Sequence, residues 1–258
     1  MTDITQAPPI PEIRQVTTED VLAALKAGIA DFGKAPGFGL FFGGLFSVIG
    51  IIIYLQLVVW GSAYWVLPIA AGFPLVGPFL AVGLYAVSRA LERGETPDWA
   101  TVLAVPMQES SRQLPWMAFV VLFFFFVWVY LANLIFLLSF GLYPVPSVVV
   151  SAELLLSQAG IMMLFIGSIV GGAMALLLFA VTVVSVPMLL DREIDVVTTV
   201  VVSFRCVLAN KRPMLMWGVI IAASTLAAMV PLFLGMLIVF PVLGHASWHL
   251  YRRAIARP

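Results

Sequence analysis

Apolar residues fall in long uninterrupted runs, and polar residues are confined to the short connections between them. A hydrocarbon core of about 30 Å takes about 20 apolar residues at about 1.5 Å each, so these runs predict membrane-spanning helices. Six are expected, at Phe38–Trp60, Trp65–Val87, Leu114–Leu138, Gly160–Leu190, Met214–Met229 and Leu232–Leu250. An uncharged turn at Gly61–Tyr64 joins the first two, and a loop with Pro144 and Pro146 follows the third. Pro231 divides the last two, because proline donates no helix hydrogen bond. The fourth run is longer than a bilayer needs, which predicts tilt or an interfacial start.

The connections differ sharply in charge. Arg14, Lys26 and Lys34 precede the first span; Arg89, Arg93 and Arg112 lie between the second and third. Arg192, Arg205, Lys211 and Arg212 lie between the fourth and fifth, and Arg252, Arg253 and Arg257 close the chain. These are all 13 Lys and Arg residues, and Glu153 is the lone charge on the other side. Positive residues gather in cytoplasmic loops, so both termini are expected in the cytoplasm. An even number of spans agrees.

The segments before the odd-numbered spans resemble one another. Val16–Lys34 has a Thr-Glu-Asp start, then Val21, Leu22, Leu25, Ile29 and Phe32 at helical spacing, then Pro36. Thr96–Gln113 runs through Val102, Leu103, Val105 and Met107 to Pro115, and Asp195–Arg212 through Val196, Val200, Phe204 and Leu208 to Pro213. The distances Asp20–Pro36, Asp98–Pro115 and Asp195–Pro213 are 16, 17 and 18 residues. Asp or Thr before such a stretch signals a helix N-cap, and the proline a helix boundary. Each segment reads as an amphipathic helix lying at the cytoplasmic interface. The expected fold is all-α: three repeats of interfacial helix plus transmembrane hairpin, at about 16–94, 95–194 and 195–258, after a flexible tail at 1–15. The even spans correspond too, since Pro78 precedes Arg89 by 11 residues, as Pro241 precedes Arg252.

Composition narrows the classes further. The chain is 62% hydrophobic and 10% charged, which excludes an ordinary soluble domain. The polar, acidic start lacks the basic n-region of a secretory signal, so insertion is expected to begin with the first span. A formal net charge of zero gives a nucleic-acid partner no electrostatic support. Cys206 stands alone, so no internal disulfide forms.

Three segments carry a resemblance to a known family: FLAVGLYAVSRALERG from Phe79 to Gly94, SVPMLLDREID from Ser185 to Asp195, and FPVLGHASWHLYRR from Phe240 to Arg253. They resemble predicted bacterial integral membrane proteins catalogued as a domain of unknown function, some labelled putative cytochrome c oxidase subunits. The resemblance runs over nearly the whole chain after about residue 20. It implies a bacterial inner-membrane protein linked to aerobic respiration. With two histidines in total, the chain does not resemble the haem- and copper-binding catalytic subunit, so such a link would be accessory or one of assembly.

Candidate chemistry is sparse. His245 and His249 are one helical turn apart, the spacing at which two imidazoles share a metal. Asp191 occupies the position in the fourth span that His245 holds in the sixth, which makes Asp191, His245 and His249 a conceivable three-ligand metal site. The alternative is an interfacial belt with Trp248, Tyr251, Arg252 and Arg253. Gln56 and Asn133 are the main polar side chains at depth, expected to bond between helices. Gly39-x-x-x-Gly43 and Gly167-x-x-x-Gly171 offer close-packing faces. The near absence of ionisable groups within the spans argues against proton pumping and ion-coupled transport. No spacing selects a nucleophile, paired carboxylates or a phosphate loop, so no enzyme and no cofactor are expected. The reading is a non-catalytic accessory or assembly factor whose partners are the lipid bilayer and respiratory-complex subunits. The alternative is a transporter or lipid-handling protein.

Overall fold

The computed structural model describes residues 11–59, 80–110, 112–141 and 152–257. Eleven α-helices follow one another among them. They are α1 (Thr18–Lys34), α2 (Pro36–Tyr54), α3 (80–92), α4 (Trp99–Ser110), α5 (Leu114–Phe140) and α6 (Ala152–Leu156). Then come α7 (Gln158–Thr182), α8 (Ser185–Asp191), α9 (Val196–Ala209), α10 (Lys211–Met229) and α11 (Met236–Ala254). A π turn, Leu55–Val59, extends α2. The described residues form no strand beyond an isolated bridge between Ile13 and Ile255.

Four of these helices are long and apolar enough to cross a membrane: α2, α5, α7 with α8 taken together, and α10. They fall on the first, third, fourth and fifth expected spans. The Gly61–Tyr64 turn, the Pro144 and Pro146 loop and most of the second span lie outside the described residues. The sixth expected span falls on α11, which is not among the four. His245, His249, Arg252 and Arg253 in its second half lower its hydropathy. It also begins at Met236 rather than Leu232, because the division expected at Pro231 is a six-residue turn, 230–235, with Leu232 and Phe233 at positive φ.

The expected caps form. Thr17 accepts from the Asp20 backbone N–H while the Asp20 carboxylate accepts from that of Thr17, a reciprocal capping box. Asp98 and Asp195 cap α4 and α9 alike, each accepting the backbone N–H and the hydroxyl of a threonine three residues on. Pro36 and Pro115 stand in the first turn of α2 and α5, where a missing N–H costs nothing. These prolines therefore open the next helix as they close the last.

α1 and α9 pack less on the helix that follows them than on helices elsewhere in the chain. α1 packs mainly on α11 and also on α10. Val102 of α4 sits among Phe38, Phe42, Leu84 and Val87 of α2 and α3, and Trp99 stacks on Phe38 at 4.0 Å. α9 packs on α7 and α8. Each thus serves the hairpin before it, and α1 closes the ring on the last.

α2 and α11 run antiparallel at close range. A Cβ on Gly43 would come within 2.8 Å of the Met236 carbonyl oxygen, and one on Gly28 of α1 within 2.6 Å of the Ala246 backbone nitrogen. Backbone cannot yield, so both positions need glycine. The Gly39–Gly43 pair is a close-packing face, as its spacing predicts. Gly167 is different, since a Cβ there meets nothing within 4 Å.

The long fourth span is broken rather than simply tilted. α7 ends at Thr182 and α8 starts at Ser185, because Pro187 cannot donate back to the carbonyl one turn earlier. Side chains from α9 fill the gap. Ser203 accepts the Val184 N–H at 3.2 Å and donates to the Ala180 carbonyl at 2.8 Å. The Ser185 hydroxyl reaches the Val181 and Thr199 carbonyls. The short α6 precedes this span.

Candidate functional site

The polar side chains of the described helices gather at one end of the bundle, where α3, α8 and α11 finish. α3 and α11 run side by side in the same direction, Leu84 against Gly244, Ser88 against His245, Glu92 against Trp248 and Arg252. Helices of that shared direction bring their terminal charges to a common level.

Those charges form a ring of contacts. Arg89 of α3 donates to the Leu190 carbonyl of α8 at 3.0 Å. Arg192, just after α8, donates to the Ala256 carbonyl beyond α11. Arg252 of α11 pairs with Glu92 of α3 at 3.0 Å, and also with Asp191 at 3.1 Å. Tyr251 donates to Asp191 at 2.7 Å, and Trp248 Nε1 to Glu92 at 3.2 Å. The Arg252 guanidinium lies over the Trp248 ring, 5.6 Å from its centroid. Arg257 reaches Glu92, Arg253 reaches Asp20, and Arg112 reaches Glu193. Basic residues from three of the four expected cytoplasmic segments therefore share one end, and the first segment contributes Asp20.

Beneath this ring lies a second polar group. His245 is fully buried, with Nδ1 2.8 Å from the Ser88 hydroxyl. Its Nε2 has no hydrogen-bond partner among the described residues. His249 Nε2 is 2.6 Å from Asp31 Oδ2, and Asp31 is 4% exposed. Burial raises the Asp31 carboxyl, but the hydrogen bond and charge of His249 outweigh it and hold the group below its ordinary value. Partial desolvation likewise raises Glu92, and the Arg252 contact overrides it downward. Burial and the neighbouring Asp191 carboxylate raise the Tyr251 phenol.

The proposed metal trio is distributed rather than assembled. Asp191 is engaged by Tyr251 and Arg252, His245 by Ser88, and His249 by Asp31. Among the described residues no group of three His, Cys, Asp or Glu side chains is arranged to hold a metal ion. The two histidines share a helix but serve different neighbours, His245 toward α3 and His249 toward α1.

Asp31 and Ser88 are the partners that sequence reading missed. Asp31 had a visible signal. It continues the buried positions Val21, Ala24 and Gly28 at helical spacing, and a carboxylate on a buried face requires a partner. Ser88 had none, since a serine in an apolar run reads equally as filler. Asn133, expected to bond between helices, donates instead to the Val129 carbonyl of its own helix. Cys206 is buried, and Asn210 donates to its carbonyl.

Residues 66–191 match the model of a family described as predicted integral membrane protein. No curated protein matches the chain, and no solved structure matches it. The matched stretch holds all of Phe79–Gly94, the part of Ser185–Asp195 up to Asp191, and none of Phe240–Arg253. Over residues 66–191 the chain is therefore similar to a family described as predicted integral membrane protein (DUF2189).

Proposed function

We propose that the chain is a non-catalytic, six-span protein of a bacterial inner membrane, with both termini cytoplasmic, that acts by lateral association with a respiratory complex such as cytochrome c oxidase. The role is accessory or one of assembly. The respiratory partner follows from the family resemblance. The lateral mode rests on one observation: the apolar window of α5 buries none of its residues inside the bundle. α5 meets α7 along an open apolar groove of about 770 Å³, with Phe124, Phe125 and Trp128 on one side and Gly167, Gly171 and Met174 on the other. Within a membrane, helices associate through such packing faces of aromatic and small residues. The threefold repeat is supported by the cyclic packing of α1, α4 and α9 and by the cyclic arginine contacts at the bundle end. In this reading His245 and His249 are hydrogen-bonding residues, since each already has a protein partner.

A mild-detergent pull-down of the tagged full chain tests the proposal, with mass spectrometry and a visible absorption spectrum of the eluate. Stoichiometric respiratory subunits with haem absorbance are expected. A colourless, partner-free protein would overturn the reading in favour of lipid handling. One observation favours that second reading. α1, α4 and α9 each present an outer apolar stripe, with Leu22 and Ile29, Trp99, Leu103 and Met107, and Val197, Val201, Phe204 and Leu208 exposed. These stripes suit helices lying in a membrane interface.

A further inference from the structure

Five arginines at the bundle end are neutralised by acidic side chains, whereas the cations around the start of α10 are not. Arg112, Arg192, Arg252, Arg253 and Arg257 all have acidic partners. Arg205, Lys211 and Arg212 are exposed, and no acidic side chain among the described residues pairs with them. Below Lys211 and Arg212 the surface turns apolar at once. A groove of about 560 Å³ is lined by these two cations and then by Leu215, Met216, Val219 and Ile220. The same face continues to Leu226, which is exposed like Leu215 and Val219. From Leu215 to Leu226 the helix rises about 16 Å, close to half of a hydrocarbon core of about 30 Å. The preceding helix, α9, also exposes apolar side chains, Phe204 and Leu208.

We propose that this face of α10 is a binding site for one anionic phospholipid. Lys211 and Arg212 hold the phosphate, and one acyl chain lies along Leu215 and Val219. Charge selects the headgroup, because a cation pair without an internal partner favours a net anionic lipid over a zwitterionic one. The groove selects a lipid over a soluble anion, because only a lipid covers the apolar stripe. The site is separate from the α5–α7 groove, so the outcome of the respiratory pull-down does not bear on it.

The test is native mass spectrometry of the full chain released from mild detergent, with phosphatidylglycerol and phosphatidylcholine of matched acyl chains. Wild type is expected to retain phosphatidylglycerol at least tenfold better. The double variant K211Q/R212Q should bring that ratio near one. Val219→Trp, which fills the groove and leaves the charges, should lower retention of phosphatidylglycerol as well. Equal retention of both lipids by wild type overturns the proposal, and this comparison requires no variant to fold. An equal loss of selectivity in K26Q/K34Q would also overturn it, as would displacement of the lipid by millimolar inorganic phosphate.

Discussion

His249 Nε2 lies 2.6 Å from Asp31 Oδ2, so the last helix of the chain is tied to the first through a carboxylate that is almost entirely buried. The contact reinforces the packing of α1 on α11.

Removing one partner of a buried pair leaves the other desolvated and alone. Asp31→Ala is expected to lower stability by about 3 kcal/mol. For a chain of this size that is a fall of about 10 °C in the thermal midpoint, measured in detergent. Asp31→Asn, which retains a hydrogen-bonding group, should fall between the two. A wild-type midpoint in Asp31→Ala would remove the pair from the list of stabilising contacts.

The acid response follows from the same group. Asp31 is held below the ordinary aspartate value in the folded protein, as Glu92 is held below the ordinary glutamate value. A depressed carboxyl contributes stability that is complete above its unfolded value and lost as pH falls through its folded one. The thermal midpoint should therefore not decline through loss of these contacts between neutral pH and about 5, and should decline below about 4. Asp31→Asn should flatten part of that acid limb. An acid limb of unchanged steepness in the variant would contradict the assignment.

Ser203 has a measurable task at the break between α7 and α8. Ser203→Ala deprives the Val184 N–H of its acceptor in a buried setting, at a cost of about 2 kcal/mol. Thr182→Ala, which removes only a hydroxyl bonded within its own helix, should cost less. Equal midpoints for the two variants would show that the break is satisfied in another way.

Gly28 and Gly167 should respond in opposite senses to alanine. A Cβ at Gly28 meets backbone at 2.6 Å, whereas one at Gly167 meets nothing within 4 Å. Gly28→Ala is expected to separate α1 from α11 and reduce the folded yield, read by size-exclusion profile and thermal midpoint. Gly167→Ala should be neutral or slightly stabilising, since alanine favours helix by up to about 1 kcal/mol.

The proposed orientation has a direct readout. In a Cys206→Ser background, Glu153→Cys should react with a membrane-impermeant maleimide applied to intact spheroplasts. Glu95→Cys should react only after permeabilisation. The reverse pattern would invert the topology, and labelling of both from outside would end the six-span reading.

Much of the architecture was legible because hydrophobicity and helix capping are local. Leu114–Phe140 and Lys211–Met229 announce themselves as apolar helices whatever surrounds them, and Thr17, Asp98 and Asp195 cap the helices that their spacing indicates. The expected one-sidedness of Lys and Arg likewise needs only the expected order of spans. Partner choice is another matter, because it depends on which residues distant in sequence are brought to the same level. His245 and His249 looked like one pair, and Asp191 looked like their third ligand. Side-by-side packing of α3 and α11 instead gave His245 to Ser88, the crossing of α1 gave His249 to Asp31, and Tyr251 with Arg252 claimed Asp191. The sequence by itself determined the helices, their polarity and their charged end; only the tertiary structure decided the pairings, because a buried polar atom takes whichever partner packing brings within about 3 Å.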